Sequence, residues 1–278
     1  MPKIGAHVSA SGGVSNAPKN AYEEGCETFQ FFVSSPQSYQ FKEVAPTEIQ
    51  NFKKNCRQYG FTQYFVHAPY LINLASADNR IRHSSVALLK KWLKASDQLE
   101  VTGMMFHIGS AKGYQNKKEA WPAVEKGIHQ VLAGYTGKTK LLVENSAGSG
   151  QTIGAEFDGI GRLLAHFKNQ DKIGMCLDTQ HSFAVKYDWS TKKGATQALA
   201  ELVKYIGLKK LAVIHANDSK PDFGSRHDRH EHIGKGKIGQ TGFKILLNHS
   251  GLKKIPFILE TPALGRAQDL ELLKSLRK

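Results

Sequence analysis

Cysteine is scarce here: Cys26, Cys56 and Cys176 are the only three in 278 residues, and no two of them form a CxxC. Any disulfide scheme leaves one unpaired, which argues against a cystine-stapled scaffold and for a reducing compartment. The amino end, MPKIGAHVSASGG, lacks the apolar core of a signal peptide, and no apolar run reaches membrane-spanning length. The expectation is a cytoplasmic protein with no membrane partner. Acids are also short, 24 Asp and Glu against 38 Lys and Arg, giving a formal charge of +14. A basic surface favours polyanions, because cations displace counterions condensed on phosphates, although charge alone fits a merely basic protein as well. No Pro/Gly-rich linker or shift in composition divides the chain, so residues 1–278 are expected to form a single domain. The 40% hydrophobic content is enough for a sizeable core.

What the chain does have is eight short apolar runs: KIGAHVS, ETFQFFV, QYFVHAP, GMMFHIG, KLLVEN, IGMCLD, LAVIHAN and PFILET. They recur at roughly 35-residue intervals, the length of one strand plus one helix of a (β/α)₈ barrel. The segments between them have helical periodicity. From Arg82 to Leu99, for example, Val86, Leu89, Leu93 and Ser96 share a face opposite Lys90, Lys91 and Lys94. Glu119 to Leu132 and Thr196 to Tyr205 read the same way. The fold class is therefore α/β, a (β/α)₈ TIM barrel.

The ends of the runs carry the chemistry. His7, His67, His107, Glu144, Asp178 and His215 lie at or near the carboxyl ends of six runs, and Glu260 closes the eighth. In a parallel barrel these ends meet on one face, where active sites are built. One histidine ending a strand is more often a hydrogen-bonded structural residue. Carboxylates gathered there without a cation would repel one another and be penalised by desolvation, and divalent ions resolve that conflict.

Ile214 to Gly236, IHANDSKPDFGSRHDRHEHIGKG, adds a second concentration of metal-binding side chains. In extended chain Asp228 and His230 project to the same side, so a carboxylate and an imidazole join His215 as donors for zinc or a similar ion. His181 follows Asp178 in CLDTQH, a spacing that lets one point into the site while the other leaves on the loop. Cys176 shares a strand face with Asp178, and we read it as a packed barrel residue rather than a thiolate ligand. Asp218 and Asp222 read as loop-forming residues. His227, Glu231 and His232 adjoin the donor set, while His83, His129, His166 and His249 read as surface or packing.

With these residues in view, the chain resembles the endonuclease IV family of apurinic/apyrimidinic endonucleases. The resemblance rests on IGAHVSASGG, HAPYLINL, LLVENSAGSG, CLDTQH, HANDSK, FGSRHDRHEHIGKGKIG and FILET, in that order over essentially the whole chain. It implies a trinuclear zinc site, with manganese admissible in part of it. His67, His107 and Glu144 would hold one ion. Glu144 would bridge to a second, completed by Asp178, His215 and Glu260. His181, Asp228 and His230 would hold the third, and His7 would support the ligands from behind. Glu144 is the residue singled out as catalytic. Tyr70 and Leu71 would enter the duplex at the lesion, and Gln37 stands where some members place a DNA-probing arginine.

The activity so implied is hydrolysis of the phosphodiester 5′ of an abasic site in duplex DNA, leaving a 3′-hydroxyl and a 5′-deoxyribose phosphate. Removal of 3′-blocking groups would accompany it. The partner would be duplex DNA with abasic sites or blocked 3′ ends, met by a monomer. Two rivals differ in class. A barrel sugar isomerase or epimerase needs only one or two ions, which leaves His181, Asp228 and His230 unexplained. A non-enzymatic nucleic-acid binder with structural zinc would be expected to use cysteine-rich sites.

Overall fold

Each apolar run becomes one strand of a closed barrel in the computed structural model, which describes residues 1–168 and 170–278. The first half runs β1 (Ile4–His7), α1 (Ala17–Glu23), β2 (Thr28–Phe31), α2 (Pro46–Gln58), β3 (Tyr64–His67), α3 (Asn79–Gln98), β4 (Gly103–His107), α4 (Trp121–Leu132) and β5 (Lys140–Glu144). Then come α5 (Phe157–Ala165), β6 (Ile173–Asp178), α6 (Thr179–Val185), α7 (Lys192–Tyr205) and β7 (Leu211–His215). The chain finishes with β8 (Asp218–Ser219), β9 (His230–Glu231), α8 (Gly239–Asn248), β10 (Phe257–Leu259) and α9 (Arg266–Leu276). Around the barrel the order is β1, β2, β3, β4, β5, β6, β7, β10, all parallel, with β10 closing onto β1. This is the (β/α)₈ barrel expected from the sequence.

The helices start where the local chemistry allows. Pro18, Pro46 and Pro122 sit in the first turns of α1, α2 and α4, where a missing N–H costs nothing. Asp78 caps α3 by accepting from the Arg80 N–H at 2.7 Å, which starts the helix three residues before the apolar periodicity does. Its Leu88, Leu89, Trp92 and Leu93 are buried, while Lys90, Lys91 and Lys94 stay exposed.

The core has two parts. One lies between the helices and the outer faces of the strands. The other fills the barrel axis with Phe65, Met105, Leu142, Cys176, Val213 and Ile258, all fully buried. Each such apolar burial contributes roughly 1.5–3 kcal/mol. Strands β1 and β2 approach so closely that a side chain at Gly5 would place its Cβ 1.6 Å from the Thr28 carbonyl oxygen, so only glycine fits.

Outside the barrel, β8 and β9 pair antiparallel, with Asp218 opposite Glu231 and Ser219 opposite His230. The buried Asp218 carboxylate organises the chain around them, accepting from the backbone N–H groups of Ser219, Gly234, Gly236, Ile238 and Gly239. Gly236 is needed there, because a Cβ would come within 2.5 Å of Asp218 Oδ1. The expectation that Asp218 is a loop residue is corrected: it opens β8, and its buried carboxylate instead holds the loop from Gly234 to Gly239 beside the strand pair that carries His230.

Candidate metal centre

Strand ends β3, β4 and β5 bring His67, His107 and Glu144 together, with donor atoms from all three within 4.8 Å of one another. His67 Nε2 lies 3.2 Å and His107 Nε2 3.7 Å from Glu144 Oε2. The other carboxylate oxygen faces the opposite way, with Oε1 2.9 Å from His215 Nδ1. Glu144 thus spans two clusters, the second comprising Glu144, Asp178, His215 and Glu260. In that cluster His215 Nδ1 is also 3.1 Å from Glu260 Oε2.

The third group departs in part from the sequence expectation. His181 Nε2 and His230 Nε2 lie 3.3 and 3.6 Å from Asp228 Oδ1, so the expected trio does converge. Asp178 also joins His181 and His230, with donor atoms within 4.8 Å of one another, and its Oδ2 stands 3.7 Å from His230 Nε2 and 4.0 Å from His215 Nδ1. Asp178 therefore faces both the second and the third cluster. The expectation that either Asp178 or His181 would leave on the loop is corrected. Helix α6 begins directly after Asp178, whose Oδ1 accepts from the His181 N–H at 2.7 Å, and helical spacing turns both side chains into the site.

The clusters fit divalent cations on the placement of their protons. His67 Nδ1 is 2.6 Å from the Ala68 carbonyl oxygen, and His181 Nδ1 is 2.9 Å from that of Asn145. A carbonyl only accepts, so each Nδ1 carries the hydrogen and each Nε2 presents a lone pair to a carboxylate. His215 is held in the reverse sense by Gln30. The Gln30 amide must donate to Glu260 Oε1 (2.8 Å), so its oxygen faces His215 Nε2 at 2.7 Å and leaves Nδ1 bare. Lone pairs facing carboxylates repel unless a cation lies between them. Among the described residues, His181 Nε2 and His230 Nε2 are also buried without any hydrogen-bond partner. Imidazole and carboxylate donors of this kind suit zinc and its neighbours.

Without a cation, protons take that place. Burial alone would raise the Glu144 carboxyl, yet the rings of His107 and His215 hold it well below the usual range. Burial would likewise lower His181, but Asp178 and Asp228 push it up to about 10. His7 is outside the three clusters but touches one of their members, its Nδ1 3.8 Å from Glu260 Oε1. Its Nδ1 is 2.9 Å from Gln30 Nε2 and its ring rests on Phe32, and burial keeps its pKa below the ordinary value.

The family model described as a xylose isomerase-like TIM barrel matches residues 18–277. The probable endonuclease 4 of Aquifex aeolicus is 40% identical, over 94% of this chain and 92% of that one. The chain belongs to the endonuclease IV family. The crystal structure of endonuclease IV from Thermus thermophilus superposes with a TM-score of 0.89 at 33% identity, covering 99% of this chain and 98% of that one. A 3-keto-D-glucoside 4-epimerase from E. coli shares the fold alone, with a TM-score of 0.67 at 13% identity over 99% of this chain and 100% of that one. As a member of the endonuclease IV family the protein is a nuclease, hence a hydrolase, whose barrel mouth has side-chain clusters able to hold metal ions.

On this endonuclease IV barrel a cavity of about 540 Å³ opens between Tyr39, Tyr70 and Leu71 on one side and His107, His181 and Asp228 on the other. It adjoins a second of about 440 Å³ that reaches His67, His230 and Glu260. Tyr70 is 60% exposed and stands on the rim, with its ring 5.6 Å from that of His67. Gln37 is exposed on the loop after β2, two residues from Tyr39, whose hydroxyl donates to the Leu71 carbonyl at 3.1 Å. Cys176 lies in the axial plug beneath the mouth, where burial pushes its thiol up to about 12, and its sulfur comes within 4.8 Å of donor atoms of Glu144 and His215. His232 is engaged elsewhere, 2.7 Å from Asp269, and Asp222 pairs with Lys237 on the surface.

Sequence reasoning missed Gln30, Asn217 and Tyr39. Asn217 donates to Asp178 Oδ2 at 2.7 Å and to Glu260 Oε2 at 3.2 Å, tying the two carboxylates together. Gln30 left a readable signal, since a lone amide between phenylalanines in a buried strand must face a polar interior. The roles of Asn217 and Tyr39 depend on contacts across the barrel that no local pattern records.

Proposed function

We propose that this chain is a DNA-repair enzyme that hydrolyses the phosphodiester immediately 5′ of an abasic site in duplex DNA, leaving a 3′-hydroxyl and a 5′-deoxyribose phosphate. We assign the same site the removal of blocked 3′ ends. The observation that carries the reading is the row of three His/carboxylate clusters joined through Glu144 and Asp178 at one barrel mouth. His67, His107 and Glu144 would hold the first ion, Glu144, Asp178, His215 and Glu260 the second, and His181, Asp228 and His230 the third. Zinc is the ion we assign, with manganese admissible in part of the site. The chemistry such ions supply when bound is that of a Lewis acid, neutralising phosphoryl charge and easing ionisation of the attacking water.

The protein's own groups do the rest. Glu144, with one oxygen toward each of two clusters, would fix their spacing, and we assign it the orientation of the attacking water. Gln30 and the carbonyls of Ala68 and Asn145 hold protons away from the ligating nitrogens. We assign Tyr70 and Leu71, which line the cavity, the role of wedging into a duplex, with Gln37 on the adjoining loop as a further DNA contact. The Tyr70 phenol is pushed up to about 12 by partial burial and by Glu260 and Glu144, so it meets the phosphate backbone uncharged. An abasic nucleotide loses little stacking on leaving the helix, which makes it the cheapest nucleotide to turn into the adjoining cavity.

A sugar isomerase on the same barrel needs one or two ions and leaves the cluster around His181 and His230 without a task. The deciding experiment is incubation of the metal-loaded protein with a labelled duplex bearing one reduced abasic site, where β-elimination is blocked and only hydrolysis can cut. A nick 5′ to the lesion with a 3′-hydroxyl that primes a polymerase is expected. An intact duplex from fully metallated protein would reject the reading in favour of a sugar-phosphate substrate.

A further inference from the structure

The opposite, amino-terminal end of the barrel has no part in the site, yet its charge is strongly one-sided. Lys140 opens β5, Lys172 precedes β6, Lys209 and Lys210 precede β7, and Lys253 and Lys254 precede β10. These strands are contiguous, and β10 adjoins β1, which Lys3 precedes. In the described connecting segments of this arc, residues 133–140, 170–172, 206–210 and 249–256, Asp171 is the only acid, and the Asp97 carboxylate of α3 packs against them from one side, accepting from the Lys138 and Thr139 N–H groups. The other side of the same end differs, because its carboxylates are matched: Glu27 with Arg277 and Glu100 with Lys53.

The lysines of the arc are held by neutral partners. Lys210 Nζ donates to the carbonyls of Gln170 and Ile173, Lys172 Nζ to that of Gly137, and Lys3 Nζ to the Thr62 hydroxyl. Their charge is thus positioned but not neutralised, while Lys140, Lys209, Lys253 and Lys254 project exposed around them. Burial lowers the Lys210 ammonium, and the nearby charge of Lys140 acts in the same direction against Asp171.

We propose that this amino-end face, from the foot of β5 round to β1, binds the phosphate backbone of a second segment of duplex DNA while the mouth engages the first. Point charges on flexible stems, without a planar guanidinium fork, suit sequence-independent phosphate contact. The choice of DNA as the polyanion rests on the proposed function, since the mouth brings DNA to the molecule. The face lies at the far end of the barrel from the clusters, so one duplex can occupy each end. Such an arrangement lets the enzyme pass from one segment to another without returning to free solution.

The test combines Lys140→Gln, Lys209→Gln, Lys253→Gln and Lys254→Gln, all exposed positions, with the pair Lys253→Gln and Lys254→Gln as a milder variant. Sedimentation with a short undamaged duplex at low salt should show two duplexes per wild-type molecule and one for the fourfold variant. For the milder pair variant, which keeps part of the face, the slope of log affinity for the second duplex on log salt should be shallower by about 2. Nicking of a short abasic duplex should be unchanged, which separates this surface from the mouth. Two duplexes on the fourfold variant, or only one on the wild type, would overturn the proposal. So would lysine-dependent binding to phosphatidylserine vesicles without lysine-dependent duplex binding, which assigns the face to a membrane. Wild type that cuts no abasic duplex would instead reject the reading of the mouth, and the undamaged-duplex titration would still score this face.

Discussion

Six strands of the barrel repeat one step, and its two levels can be compared residue by residue. The axial plug takes Phe65, Met105, Leu142, Cys176, Val213 and Ile258. Two residues further along the same strands stand His67, His107, Glu144, Asp178, His215 and Glu260. Side chains alternate with period two along a strand, so both sets face the barrel axis, one turn of the pleat apart. The lower level is a dry, close-packed plug. The upper level gathers most of the donors able to hold metal. The comparison teaches that this part of the mouth is held from below: each of these six ligand candidates stands above a packed plug residue of its own strand, which limits how far it can move, whereas His181, Asp228 and His230 come from outside the barrel strands.

The largest effect should come from breaking the upper level at its centre. Glu144→Ala removes the carboxylate common to two clusters, and we expect nicking to fall by at least ~10³-fold with loss of bound metal by elemental analysis. Retained metal would show that the clusters hold ions independently of Glu144. Next is the support outside the barrel. Asp218→Ala strands five backbone N–H groups and should lower stability by roughly 2–4 kcal/mol in urea unfolding, loosening the segment that carries Asp228 and His230. If unfolding is unchanged, the cradle is not what fixes that segment.

Gln30→Ala should be milder, weakening metal retention about 10–100-fold in a chelator competition and shifting retention to higher pH, because His215 can then protonate at Nδ1. A pH profile that moves without a matching loss of stability distinguishes proton placement from simple packing. Metal loading itself should release protons. His181 in the cation-free site is held up to about 10, so at neutral pH its ring must shed a proton to become a ligand. Metal affinity therefore rises with pH and falls in acid, and calorimetry in two buffers of different ionisation enthalpy reads the protons released. The smallest effect belongs to the lower level. Cys176→Val changes a buried plug residue for one of similar volume and should cost about 1 kcal/mol or less, with the metal count unaltered. Loss of a metal ion there would place the thiol among the ligands and blur the boundary between the levels.

The sequence displays the two levels unequally. Apolar runs and the ionisable residues that end them are local, so the barrel and the positions of His67, His107, Glu144, Asp178, His215 and Glu260 could be read directly. His181 was harder, because whether it shares a side with Asp178 depends on a helix starting at once, a backbone choice that three residues of sequence do not disclose. Gln30 illustrates a different limit. Its strand, β2, has no ionisable residue at its end, and its amide matters only because His7, His215 and Glu260 arrive from three other strands. The dual position of Asp178 is likewise a matter of ångströms between clusters.

The most direct test of the account is a zinc-soaked crystal measured at the zinc absorption edge. The account predicts three anomalous peaks at the mouth: one among His67, His107 and Glu144, one among Glu144, Asp178, His215 and Glu260, and one beside His181, Asp228 and His230. Fewer than two peaks there, or zinc bound away from the strand ends, would contradict it.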